Sequence, residues 1–130
     1  MIAGLGTDSV TTGAGNDVII GDNGSVIFDA NDVLISIVGA AGNDDGVDTI
    51  NAGAGRAVII GGGAGDMIDS DSAAANNVII GDGGEATFAT EGSVLTASTN
   101  DIAIGAADNI FITEGTVYYT HLTLPTLPAA

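Results

Sequence analysis

The chain has 130 residues, 21 of them glycine, and sets 17 acidic side chains against a single basic one, Arg56, for a formal net charge of −16. That balance makes nucleic acid and anionic membrane poor partners and divalent cations good ones; a solvated acidic surface on a secreted or salt-adapted protein is the blander reading. The absence of cysteine excludes disulfides and thiolate metal sites, and no apolar run is long enough to span a bilayer.

From its first residues the chain falls into nine-residue units of the form x-G-x-G-x-D-x-U-x, where U is a large apolar side chain. The clearest copy is Thr12-Gly13-Ala14-Gly15-Asn16-Asp17-Val18-Ile19-Ile20. Its glycines permit a turn with φ > 0. The aspartate places a carboxylate at the end of that turn, and the β-branched residues after it form a short strand with U pointing inward. U positions nine apart recur at Val10, Ile19 and Phe28, then at Ile50, Ile59 and Ile68. Ile79 with Phe88, and Ile102 with Phe111, continue the series. A helix would repeat near 3.6 residues, and so much glycine opposes helix, so the pattern belongs to stacked strands.

The register breaks between Phe28 and Ile50, between Ile68 and Ile79, and between Phe88 and Ile102. The first and third breaks follow the same motif, Val18-Ile19-Ile20-Gly21-Asp22-Asn23-Gly24 and Val78-Ile79-Ile80-Gly81-Asp82-Gly83-Gly84. Each then runs through two apolar segments around polar turn residues, Asp29-Ala30-Asn31-Asp32 and Thr90-Glu91-Gly92-Ser93. This predicts β-hairpins at about 25–41 and 85–98. Val18-Ile19-Ile20, Val58-Ile59-Ile60 and Val78-Ile79-Ile80 carry apolar side chains on both faces of their strands. The outward face therefore needs cover from an insertion or another chain.

Beyond Gly115 the composition changes: both prolines, both tyrosines and the single histidine fall in 116–130. Tyr119-Thr120-His121-Leu122-Thr123-Leu124-Pro125-Thr126 resembles the in-frame translation of a sequencing-library adapter. Residues 116–130 are accordingly read as a non-repeat tail, artefactual or disordered, and His121 as neither ligand nor base.

The repeating unit resembles the glycine-rich nonapeptide of RTX proteins, the hemolysin-type calcium-binding repeats. The resemblance covers most of 3–115 and implies an all-β fold: a parallel β-roll or β-solenoid of nonapeptide repeats, two per coil, with the hairpins inserted. It also implies Ca2+ in the turns and a place outside the cell or on its surface, reached by type I secretion without an N-terminal signal.

Two nonapeptides per coil bring same-side turns together every 18 positions. Asp48 and Asp66 have that separation in unbroken register. They are the leading pair for a shared ion, with carbonyls from the turns 43–47 and 61–65, which include Gly46 and Gly63. Asp8 and Asp17 are further candidates half a coil apart, on opposite edges, with Gly15 in the turn of Asp17. The remaining sixth places hold Val26, Ala57, Asn77, Ala86, Asn100 and Asn109. The array is therefore degenerate, with few sites of weak affinity, roughly 10⁻⁴–10⁻³ M. Asp22 and Asp82 recur in the G-D-x-G turns, either as weak ligands of an ion or, the favoured reading, as turn residues bonding their own backbone. Arg56 reads either as a charge replacing a missing ion or as a solvated arginine.

No catalytic set is legible. There is no histidine outside the tail and no G-x-x-x-x-G-K-[ST] loop, and the G-x-G strings precede aliphatic strands instead of helices. The expectation is a calcium-binding structural module, not an enzyme and adhesin-like, that folds on binding calcium. Its partners would be calcium ions, neighbouring repeats of a longer chain and a cell-surface or matrix ligand. Two alternatives stay open: the repeat segment of a secreted hydrolase whose catalytic domain lies elsewhere, and a metal-independent solenoid.

Overall fold

In the computed structural model the described residues are 1–40, 42, 45–71, 77–99, 108–112 and 117–120, and among them the chain is all-β, without helix. Accordingly, no helix among them is long and apolar enough to cross a membrane. Short strands alternate between two parallel sheets. The first holds β1 (Ser9–Thr11), β5 (Thr49–Ala52), β7 (Met67–Ser70) and β11 (Asn109–Ile112), in that order. The second holds β2 (Asp17–Ile20), β6 (Ala57–Ile60), β8 (Asn77–Ile80) and β12 (Val117–Thr120), also in that order. Each pass through the pair of sheets therefore adds one strand to the same edge of both.

The apolar U side chains set the register. Val10 faces Ile50, Ile50 faces Ile68, and Ile68 faces Ile110. In the second sheet Ile19 faces Ile59, which faces Ile79. Val10, Ile19, Ile50, Ile59, Ile68 and Ile79 meet between the sheets in one buried cluster. Each fully buried isoleucine contributes about 1.5–3 kcal/mol relative to exposure.

Three U positions, Phe28, Phe88 and Phe111, depart from the sequence reading. Phe111 is 60 % exposed, and Ile110 holds the inward place instead. Because side chains alternate along a strand, an offset of one residue exchanges the two faces. Phe28, 50 % exposed, and Phe88, buried, both belong to a different sheet. Ile102 lies outside the described residues.

That third sheet is antiparallel, in the order β10 (Val94–Thr99), β9 (Gly84–Phe88), β4 (Leu34–Ala40), β3 (Asn23–Phe28). β3 pairs with β4 and β9 with β10, and β4 with β9 joins the two hairpins. It covers the outward face of the second parallel sheet. Leu34, Ile37, Ala86 and Phe88 pack there with Ile20, Val58, Ile60, Val78 and Ile80.

The close approach is made by a row of glycines. Gly24, Gly39 and Gly84 are aligned across the antiparallel sheet. Cβ atoms built on them would run into Ile20, Ile60 and Ile80 respectively. Glycine here lets one sheet sit on the isoleucine ridge of the other.

β12 falls inside the segment read as a tail. Its backbone pairs with β8, Val117 opposite Asn77 through Thr120 opposite Ile80, so the parallel sheet extends into residues expected to lie outside it. Residues 121–130 lie outside the described residues.

Candidate metal centre

The residue immediately before β1, β5, β7 and β11 is in each case an aspartate: Asp8, Asp48, Asp66 and Asp108. Parallel pairing in constant register stacks all four on one edge. Asp48 Oδ1 accepts the Asp8 amide at 2.8 Å, Asp66 Oδ1 the Asp48 amide at 2.9 Å, and Asp108 Oδ1 the Asp66 amide at 2.8 Å. Each carboxylate thus caps the start of the neighbouring strand. Asp48, Asp66 and Asp108 are buried.

Glycine makes room for these carboxylates. A Cβ on Gly21, Gly61 or Gly81, which directly follow β2, β6 and β8, would collide with Oδ2 of Asp48, Asp66 and Asp108 respectively. The second oxygens of Asp48 and Asp66 are buried and make no hydrogen bond.

A second pair of carboxylates joins this edge. Asp22, completely buried, accepts the Gly63 amide at 3.0 Å through Oδ2. Asp45 Oδ2 accepts the same amide at 2.9 Å and that of Gly42 at 2.6 Å. One N–H therefore serves two carboxylates and cannot neutralise both. Asp22 Oδ1 is buried and makes no hydrogen bond.

Electrostatics follow from this crowding. Burial, then the charges of Asp45 and Asp48, push the Asp22 carboxyl up to about 7 against the pull of the Gly46 and Gly63 amides. Burial pushes Asp66 up to about 8; the Asp48 amide opposes it, and the charges of Asp108, Asp48 and Asp22 add to it. Asp48 is raised as well, chiefly by burial. Near neutrality Asp66 is then largely protonated and Asp22 only partly ionised, and a nearby cation would favour the charged form of each.

Of the expected ligands, Asp8, Asp48, Asp66, Gly46 and Gly63 come together on this edge. Asp17 and Gly15 belong to the opposite edge. There Asp17 pairs in register with Ala57 and accepts the Thr12 hydroxyl at 2.8 Å. The neighbouring strand β8 begins with Asn77, whose Oδ1 accepts the Ala57 amide at 2.9 Å.

Asp45 and Asp108 are not among the ligands expected from the sequence, and Asp22 reads there first as a turn residue. Asp108-Asn109-Ile110 repeats the form of Asp48-Thr49-Ile50 and Asp66-Met67-Ile68 and was legible, but counting in nines had placed Asn109 there. Asp22 bonds not its own turn but a glycine 41 positions away, which no local rule anticipates. Arg56 lies 4.8 Å from the centre of the Phe88 ring, on the edge away from the aspartate stack.

Among the described residues no three acidic or imidazole side chains already surround one point. A calcium ion here would draw on carbonyls of the glycine turns as well as carboxylates, the mixed oxygen set that this ion takes. No family model, curated protein or solved structure matches the chain.

Proposed function

We propose that this chain is a calcium-binding structural module, a parallel β-solenoid of RTX-like repeats with inserted hairpins, from a secreted or cell-surface protein of adhesin type. The observation that carries the reading is the acidic edge. Asp8, Asp48, Asp66 and Asp108 stack there coil upon coil, and Asp22 and Asp45 share one amide beside them. Buried carboxylate oxygens without donors are costly, and a divalent ion removes that cost. A module of this kind gains stability from calcium by linkage, since the unfolded chain has no such edge. It performs no chemistry of its own; binding and support are its task.

The test is calorimetric titration of the chain with calcium, alongside the Asp22→Asn and Asp66→Asn variants. Heat with a sub-millimolar to millimolar midpoint, weakened in both variants, is expected; an absence of binding heat for the parent chain rules the reading out.

A second reading has an observation in its favour. The Oδ1 atoms of Asp48 and Asp66 already hold backbone amides, so the stack supports its coils without an ion. In that case the edge is a protonated ladder, and calcium leaves stability unchanged.

A further inference from the structure

At the edge opposite the aspartate stack, a cavity of about 390 Å³ opens between the turns of the two hairpins and the strands β2 and β6. Asp17, Phe28, Asp32, Arg56 and Glu91 are among its lining residues. A second hollow of about 350 Å³ shares Asn16, Asp17, Val18 and Phe28 with it, so the two adjoin as neighbouring lobes. None of these residues takes part in the acidic edge.

Several of the polar groups are held in place. Arg56, the only Lys or Arg in the chain, stacks on Phe88 at 4.8 Å. A Cβ on Gly92 would lie 3.4 Å from Arg56 Nη1, so the second hairpin turn closes over the guanidinium. Asp17 receives the Thr12 hydroxyl at 2.8 Å, and its amide donates to the Arg56 carbonyl at 2.8 Å. Asp32 sits at φ 60° in a turn fastened by Asp29 Oδ1, which takes the amides of Asn31 and Val33 at 2.8 and 3.0 Å. Phe28, half exposed, stands on the wall common to both lobes.

Three carboxylates against one guanidinium leave the cleft net negative, which repels an anion. The guanidinium adds hydrogen-bond donors that a cation cannot use, so the lining offers acceptors and donors side by side. An uncharged ligand dense in hydroxyls satisfies both, donating to Asp17, Asp32 and Glu91 and accepting from Arg56 and Asn16. An apolar ring face completes the fit against Phe28. We propose that this cleft binds a neutral saccharide, with Phe28 as the stacking platform and Asp17, Asp32, Arg56 and Glu91 as partners of its hydroxyls. Two adjoining lobes within the size range of small-ligand pockets suit more than one sugar unit.

The test is saturation-transfer-difference NMR on the full chain, with and without calcium. The probes are glucose, galactose, mannose, N-acetylglucosamine, lactose and cellobiose, each at about 2 mM to catch millimolar affinities, with spermidine and citrate as charged controls. Transfer to the ring protons of at least one neutral sugar is expected. Phe28→Ala should reduce it at least about fivefold and Glu91→Gln measurably; both positions are exposed, so the strand circular dichroism should be retained. The proposal is overturned by silence from every sugar, by transfer to spermidine or citrate alone, or by a sugar signal that neither substitution changes. Because the acidic edge is not involved, sugar binding stands or falls separately from the calcium response.

Discussion

Asp66 Oδ1 takes the amide of Asp48 at 2.9 Å, and on the opposite edge Asn77 Oδ1 takes the amide of Ala57 at the same distance. A neutral amide side chain therefore serves the ladder as well as a carboxylate, without burying a charge. The carboxylates at Asp48 and Asp66 need another reason, and the proposed cation is that reason. Asp66→Asn should accordingly raise the stability of the calcium-free chain at pH 8, by about 1 kcal/mol or more, and remove most of the calcium response. Asp66→Ala, which orphans the Asp48 amide, should lower stability by about 1–3 kcal/mol. Urea unfolding of both variants in chelator separates these effects. The same residues set a pH dependence. Asp22 and Asp66 are raised from 3.8 to about 7 and about 8, so the folded chain holds more protons than the unfolded one between pH 4 and 8. Stability without divalent ions should then be greatest near pH 4, fall as pH rises through that window, and level off above it. Thermal melts in chelator check this, and melting temperatures that climb with pH across the window would contradict it.

At the scale of the strands, the contact between the antiparallel sheet and the second parallel sheet depends on glycine. Gly39 lies in β4 over Ile60 of β6, where a Cβ would overlap the isoleucine Cγ2. Gly39→Val should cost about 1–3 kcal/mol through overpacking, measured by equilibrium unfolding; an unchanged midpoint would mean that the sheets do not meet there. Ile59→Ala, at a completely buried position between the parallel sheets, should cost about 2–5 kcal/mol. Much of this packing was legible in the residues. The spacing of Val10, Ile19, Ile50, Ile59, Ile68 and Ile79 picked out the side chains between the sheets, because a stacked coil must return the same residue to the same place. The doubly apolar Val-Ile-Ile strands announced a second buried face. The union of the hairpins through β4 and β9 was not legible, since it rests on a pairing between segments some fifty residues apart with no local signal. The last strand was misplaced by one residue because Phe111 was counted nine positions from Ile102, the first position after a break, with no earlier copy to fix its register. The acidic edge was half legible: Asp48 and Asp66 follow from the coil length, whereas Asp22 and Asp45 arrive from a hairpin root and a connecting loop.

Taken whole, the molecule carries seventeen carboxylates and one guanidinium in 130 residues. Charge of this density opposes compaction unless ions relieve it. The proposed arrangement gives the two edges different work: the aspartate stack couples the fold to calcium, and the cleft beside Arg56 and Phe28 takes a ligand. Screening by salt relieves charge indiscriminately, whereas a site at the stack prefers a divalent ion with room for many oxygen ligands. The most direct test is therefore the melting temperature of the full chain and of Asp66→Asn, followed at pH 7.5 as free calcium rises to about 10 mM, above the weak range of extracellular sites, with sodium chloride of equal ionic strength as control. A rise with calcium is expected in the parent chain, one that sodium does not reproduce and that Asp66→Asn largely loses. A parent chain whose melting temperature ignores calcium, or moves equally with calcium and sodium, would contradict it.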